Sequence, residues 1–90
     1  MRWLTGTATT TGQISTTNLT VLAVEFHARI DNIDSIAVGA SDVSITNGRE
    51  IGPGGTHSLN FEPGSIPFTE MYVAIKTGGD KLDWSIIVST

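Results

Sequence analysis

Apolar and polar residues alternate in short runs along the chain, and the runs are separated by clusters of Gly, Pro, Asn and Asp. The longest run is 19–30, LTVLAVEFHARI. Leu22, Val24, Phe26, Ala28 and Ile30 share one parity, and Glu25, His27 and Arg29 share the other. A period of two predicts a strand with one buried face. In the first half the other parity is apolar as well, through Leu19, Val21 and Ala23. That predicts a strand start covered on both sides, by the core and by another segment or subunit.

The same pattern continues downstream. Strand pieces at 36–38 and 43–45 lead to Asn47-Gly48, which predicts a type I′ hairpin with positive φ at both central residues. A corner at 52–55 follows, where Pro53 cannot donate to a ladder. Leu59 and Phe61 share one side of 56–61. Residues 62–67 read as a proline loop. Met71, Val73 and Ile75 form the apolar face of 70–77, and Gly78-Gly79-Asp80 reads as the turn of a closing hairpin. Leu82, Trp84, Ile86 and Val88 then alternate with Asp83 and Ser85. The expectation is an all-β chain: an antiparallel β-sandwich or small jelly-roll-like barrel of seven to eight strands. Its core is expected to hold Leu22, Val24, Phe26, Ile36, Val38, Leu59, Phe61, Leu82, Trp84 and Ile86.

Residues 5–17 are rich in Thr, which suits extended chain but supplies little apolar anchorage. Residues 1–17 therefore read as a Thr-rich N-terminal arm or edge strand, and 18–90 as a single β-sandwich domain. On the arm reading, Trp3 and Leu4 are an apolar foot that becomes ordered on a partner. Together with Leu19, Val21 and Ala23 they make the expected interface.

Composition narrows the partners. Only 16% of the 90 residues are charged, against about 25% in an ordinary globular domain, so part of the uncharged surface is expected to be covered. The net charge is −4, and Arg2, Arg29, Arg49, Lys76 and Lys81 are scattered. Nucleic-acid binding needs clustered cations and is disfavoured. The absence of cysteine excludes a disulfide framework and a thiolate zinc site. Trp3-Leu4 runs into threonines instead of a signal-peptide apolar core, and no run approaches the ~20 apolar residues of a spanning helix. The expectation is a soluble chain with no membrane partner, which stays where it is made unless it leaves inside a particle.

Catalytic chemistry finds little footing. His27 and His57 lack the spacing of a metal site, and Asp31, Asp34 and Asp42 do not match a calcium loop. Asp80 and Asp83 flank Lys81, and Glu62 and Glu70 flank the proline loop, but acid/base work needs a cleft. No GxSxG elbow is present. Asn18-Leu19-Thr20 matches a glycosylation sequon. Trp3, Tyr72 and Trp84 are the candidates for a sugar-stacking platform. No catalytic residue, cofactor or metal is expected.

From residue 30 onward the chain resembles small virion proteins of tailed bacteriophages, of the capsid decoration or cement type. The resemblance lies in an order of features: RIDN, IAVGASDVSITNG, REIGPGGTHSLNF, MYVAIKTGG and LDWSIIVST. It implies a non-enzymatic protein made in the host cytoplasm and carried on the capsid surface. It further implies a homo-oligomer, typically a trimer, that bridges major capsid protein subunits. The alternative class is a receptor- or glycan-binding module of a phage tail or fibre.

Overall fold

The structure is a computed structural model and describes residues 1–89. Two antiparallel sheets pack face to face. Sheet A has the order β1-β9-β3-β6, from strands Arg2–Ala8 (β1), Leu82–Val88 (β9), Thr20–Ala28 (β3) and Thr56–Asn60 (β6). The two-residue β7, Ile66–Pro67, pairs with the start of β3. Sheet B has the order β2-β8-β4-β5, from Gly12–Gln13 (β2), Tyr72–Ile75 (β8), Ile36–Gly39 (β4) and Arg49–Ile51 (β5). One 3-10 turn, Phe68–Glu70, is the only helical element among the described residues. The expected sandwich is therefore the observed fold.

The core lies where the parity pattern puts it. Val24, Phe26, Ile36, Val38, Leu82 and Ile86 are buried, together with Val21, Ile51, Phe68, Met71, Val73 and Val88. Trp84 and Phe61 pack against this cluster while half-buried. Trp84 lies over Gly6, its register partner on β1, and meets Phe68 edge-on with ring centroids 4.9 Å apart.

Leu59 departs from expectation: it pairs with buried Val24 yet is 41% exposed. Its strand is a sheet edge, and the opposing edge strand β5 is only three residues long. The sandwich gapes there into an apolar cleft of about 420 Å³ between Leu59, Phe61 and Ile66 on one side and Val38 and Met71 on the other.

Leu22 is also only half-buried, because β3 carries a bulge. Val21 pairs with Val88 and Ala23 with Ile87, so Leu22 is an extra residue and the parity switches across it. Val21 is thereby fully buried, at 0% exposure, and Leu19 packs against the core. The two-sided apolar start of β3 comes from this switch.

One open alternative is decided and two other expectations change. The 1–17 stretch is integral to the sandwich: β1 pairs with β9 along its whole length, Leu4 packs on the core and Ala8 is buried. Of the two alternatives, arm or edge strand, the structure shows the edge strand. At 43–48 there is a small loop in place of a strand. Ser44 and Asn47 exchange backbone bonds around Ile45-Thr46 (2.8 and 3.1 Å), and only Gly48 has positive φ (143°). The turn is therefore not type I′ at Asn47-Gly48. Finally, β8 and β9 lie in different sheets, so residues 78–81 make a crossing between layers and not a hairpin.

That crossing is fixed by buried polar groups. The carboxylate of Asp80 is 3% exposed and accepts the amides of Ile33 (2.8 Å) and Asp34 (3.0 Å). Asn32 donates its side-chain amide to the Lys81 carbonyl and accepts the Lys81 amide, both at 2.8 Å. The Thr77 hydroxyl donates to Asp34. These bonds satisfy polar groups that burial would otherwise penalise, and they tie the β3–β4 crossing at 31–34 to the β8–β9 crossing. At the same end, the Gly55 amide donates to the Gly52 carbonyl (2.7 Å) around Pro53 and Gly54. Proline second and glycine third at φ +80° make this a type II turn.

Candidate functional site

The outer face of sheet A is built in three rows by the strand registers. Trp3, Ile87, Ala23 and Asn60 lie side by side, then Thr5, Ser85, Glu25 and Ser58, then Thr7, Asp83, His27 and Thr56. The first row is apolar through three residues and the other two are polar, so the face grades from a greasy corner to a charged end.

At the apolar corner Trp3 is 73% exposed. Its indole N–H donates to the Ser85 hydroxyl, which leans the ring back over the sheet instead of out past its edge. Ile87 is half-buried beside it. Trp3, Ala23, Ile87, Ser85, Ser58 and Asn60 line a shallow depression of about 440 Å³.

At the charged end Arg29 forks onto Asp83, with Nε to Oδ2 and Nη2 to Oδ1 both at 3.0 Å. Thr7 donates to the same carboxylate at 2.8 Å. The Arg29 hydrogen bonds hold the Asp83 carboxyl below its ordinary value, and desolvation opposes them. Asp83 in turn raises the Arg29 pKa, so both groups keep their charge through neutrality. His27 lies beside them, with Nδ1 3.1 Å from the Thr56 hydroxyl. Arg29 and Asp83 are each more than a third exposed, so the pair orders this end of the face more than it stabilises the fold.

Of the five expected interface residues, the structure brings Trp3 and Ala23 together in one row of the outer face, Trp3 exposed and Ala23 half-buried. Leu4 and Leu19 pack toward the core and Val21 is sealed within it, so these three do not share the surface. Ile87 was not anticipated; its signal is the apolar pair Ile86-Ile87, which breaks the alternation of the last strand. The sugar-platform trio is dispersed. Trp84 turns inward, and Tyr72 belongs to the other sheet. Among the described residues no three of His, Cys, Asp or Glu are grouped to hold a metal ion. His57 pairs across from Phe26 and lines the inter-sheet cleft, whereas His27 is on the outer face.

Compared with known proteins, the chain matches no family model, no curated protein and no solved structure.

Proposed function

We propose that this protein is a non-enzymatic structural component of a phage virion, a capsid decoration or cement module seated on the head through the outer face of sheet A. The observation that carries this reading is the apolar row of exposed Trp3 with half-buried Ile87 and Ala23 on the outer face of an antiparallel sheet. A large aromatic with apolar neighbours and a polar rim is the usual anatomy of an interface centre. The low content of charged residues agrees with a surface that is partly covered in use.

The test is binding of purified protein to phage heads that lack it, read by co-sedimentation. Trp3→Ala should weaken binding by about 30-fold or more, the scale of a hot-spot aromatic. Because Trp3 is mostly solvent-exposed, the variant should melt close to the parent. Parental affinity in the variant would refute docking through this row.

A second reading rests on the same indole. An exposed aromatic ring surrounded by Glu25, Ser58, Asn60 and Ser85 also suits stacking of a sugar, as in a glycan- or receptor-binding module of a tail or fibre. Saturable quenching of Trp3 fluorescence by oligosaccharides, with no uptake by heads, would select that reading.

A further inference from the structure

The sandwich has free sheet edges, and they are not equally protected. β2 is two residues long, and the Thr11 hydroxyl closes the chain beside it by accepting the Ile75 amide (2.9 Å) and donating to the Ile75 carbonyl (3.1 Å). β5 is three residues long and two of them are charged, Arg49 and Glu50. β7 contains Pro67. Short length, charge and proline are the ordinary devices that stop edges from pairing. β1 has none of these along its middle: Trp3 to Ala8 is uncharged, free of proline, and in unbroken register with β9.

The direction of its free backbone groups follows from the ladder. The Arg29 amide donates to the Lys81 carbonyl and the Ser89 amide to the Thr20 carbonyl, so odd-numbered β9 residues turn their backbone toward β3. Alternation then turns Leu82, Trp84, Ile86 and Val88 toward β1, where they bond Ala8, Gly6, Leu4 and Arg2. The N–H and C=O groups of Trp3, Thr5 and Thr7 point out from the edge.

We propose that β1 is a dimerisation strand that pairs antiparallel with β1 of a second copy about a two-fold axis at Thr5. The sequence is self-complementary in that register. Thr5 meets Thr5 and Trp3 meets Thr7, so the three outward-facing residues of each copy satisfy one another. On the inner face Leu4 of one copy comes opposite Gly6 of the other. Gly6 has no side chain, and the Trp84 indole lies over it. Leu4 of the second copy therefore meets the flank of that ring, and the two cores become continuous across the seam. The Trp3 rings do not obstruct pairing, because each leans over its own sheet toward Ser85. The product is one continuous sheet of ten strands, eight of them in its linear order, with two Trp3 corners on the same face. It is a two-fold assembly in place of the three-fold one that the family resemblance implies, and it stands independently of what the outer face binds.

The experiment is sedimentation equilibrium of the full chain together with amide hydrogen exchange at low and high protein concentration. The expected result is a reversible dimer in which the amides of Trp3, Thr5 and Thr7 gain protection with concentration. Leu4, Gly6 and Ala8 should be protected throughout, since they bond β9. Thr5→Pro removes an amide that points to solvent in the monomer, a place where edge strands tolerate proline. It should weaken dimerisation by at least about tenfold through two lost backbone bonds. Thr5→Lys, which sets like charges directly opposite, should also weaken it. A chain that stays monomeric at high concentration would overturn the proposal. So would a dimer in which the Trp3, Thr5 and Thr7 amides exchange freely; this measurement needs only the unmutated protein.

Discussion

Gly6→Ala tests the packing on which β1 depends. A Cβ at position 6 would fall 2.3 Å from Cζ2, 2.7 Å from Cε2 and 2.9 Å from Cη2 of Trp84. Carbon–carbon contact is comfortable at about 3.5 Å, so the ring must withdraw by roughly 1.2 Å or β1 must peel from β9. Overpacking of this kind costs about 1–3 kcal/mol. Withdrawal also disturbs the edge-on contact with Phe68, worth about 0.5–1.5 kcal/mol. Replacing glycine by alanine returns about 0.4–1 kcal/mol by restricting the unfolded chain. The expected net loss is about 2 kcal/mol. A domain of this size has a total stability on the order of 5–13 kcal/mol, so the loss is readily measured by urea unfolding followed by far-UV circular dichroism. The Trp84→Leu background supplies the control. With the indole gone, Gly6→Ala should cost little or be mildly stabilising. Equal losses in both backgrounds, or none in the parent, would refute the steric account.

Asp80→Ala removes the acceptor of two backbone amides and should lower stability by about 2–4 kcal/mol, measured in the same urea assay; a loss within experimental error would mean that water replaces the carboxylate without cost. For Asp83 the folded-state pKa is depressed, so its contribution is fully present above the unfolded value near 4 and is lost as pH falls through the folded value. Asp83→Asn should therefore flatten the dependence of stability on pH below about 4 while changing little of its shape near neutrality, and an NMR titration that finds Asp83 at or above the ordinary carboxylate value would contradict the fork geometry.

Apart from the piece at 43–45, which is a loop, the long strands were legible because the side-chain period of a sheet is written directly into the sequence. The faces of 70–77 and of the last strand came out as parity alone dictates. What parity cannot carry is a change of phase. Leu22 looks like one more inward residue until the bulge makes it the extra one, and that single insertion moves Val21 from an expected surface into the core. Turn chemistry was legible in kind but not in destination. Gly78-Gly79-Asp80 does turn the chain, yet whether it joins neighbours in one sheet or crosses between layers depends on long-range pairing with residues 31–34. The reading of Leu59 failed for a different reason. Its strand faces the right way, but the opposing strand ends too soon to cover it. Trp3 and Ala23 were found as surface residues, while their neighbour Ile87 becomes visible only when strands distant in sequence are laid side by side.

The central position of β9 bears on how the chain is made. The strand that separates β1 from β3 follows the other eight strands in the chain, and each of these two pairs with it over almost its full length. Before Leu82 emerges, β1 has no neighbour in its sheet, and one flank of β3 is bare beside Val24 and Phe26. The two longest pairings of the molecule, β1 with β9 and β3 with β9, therefore close only once β9 is available, although the strands of sheet B and the β3–β6 pair precede it. Pairing of this kind is slow and leaves apolar strands unprotected while they wait. A chain interrupted before β9 would be a substrate for holding chaperones and proteases and not a smaller, stable sandwich.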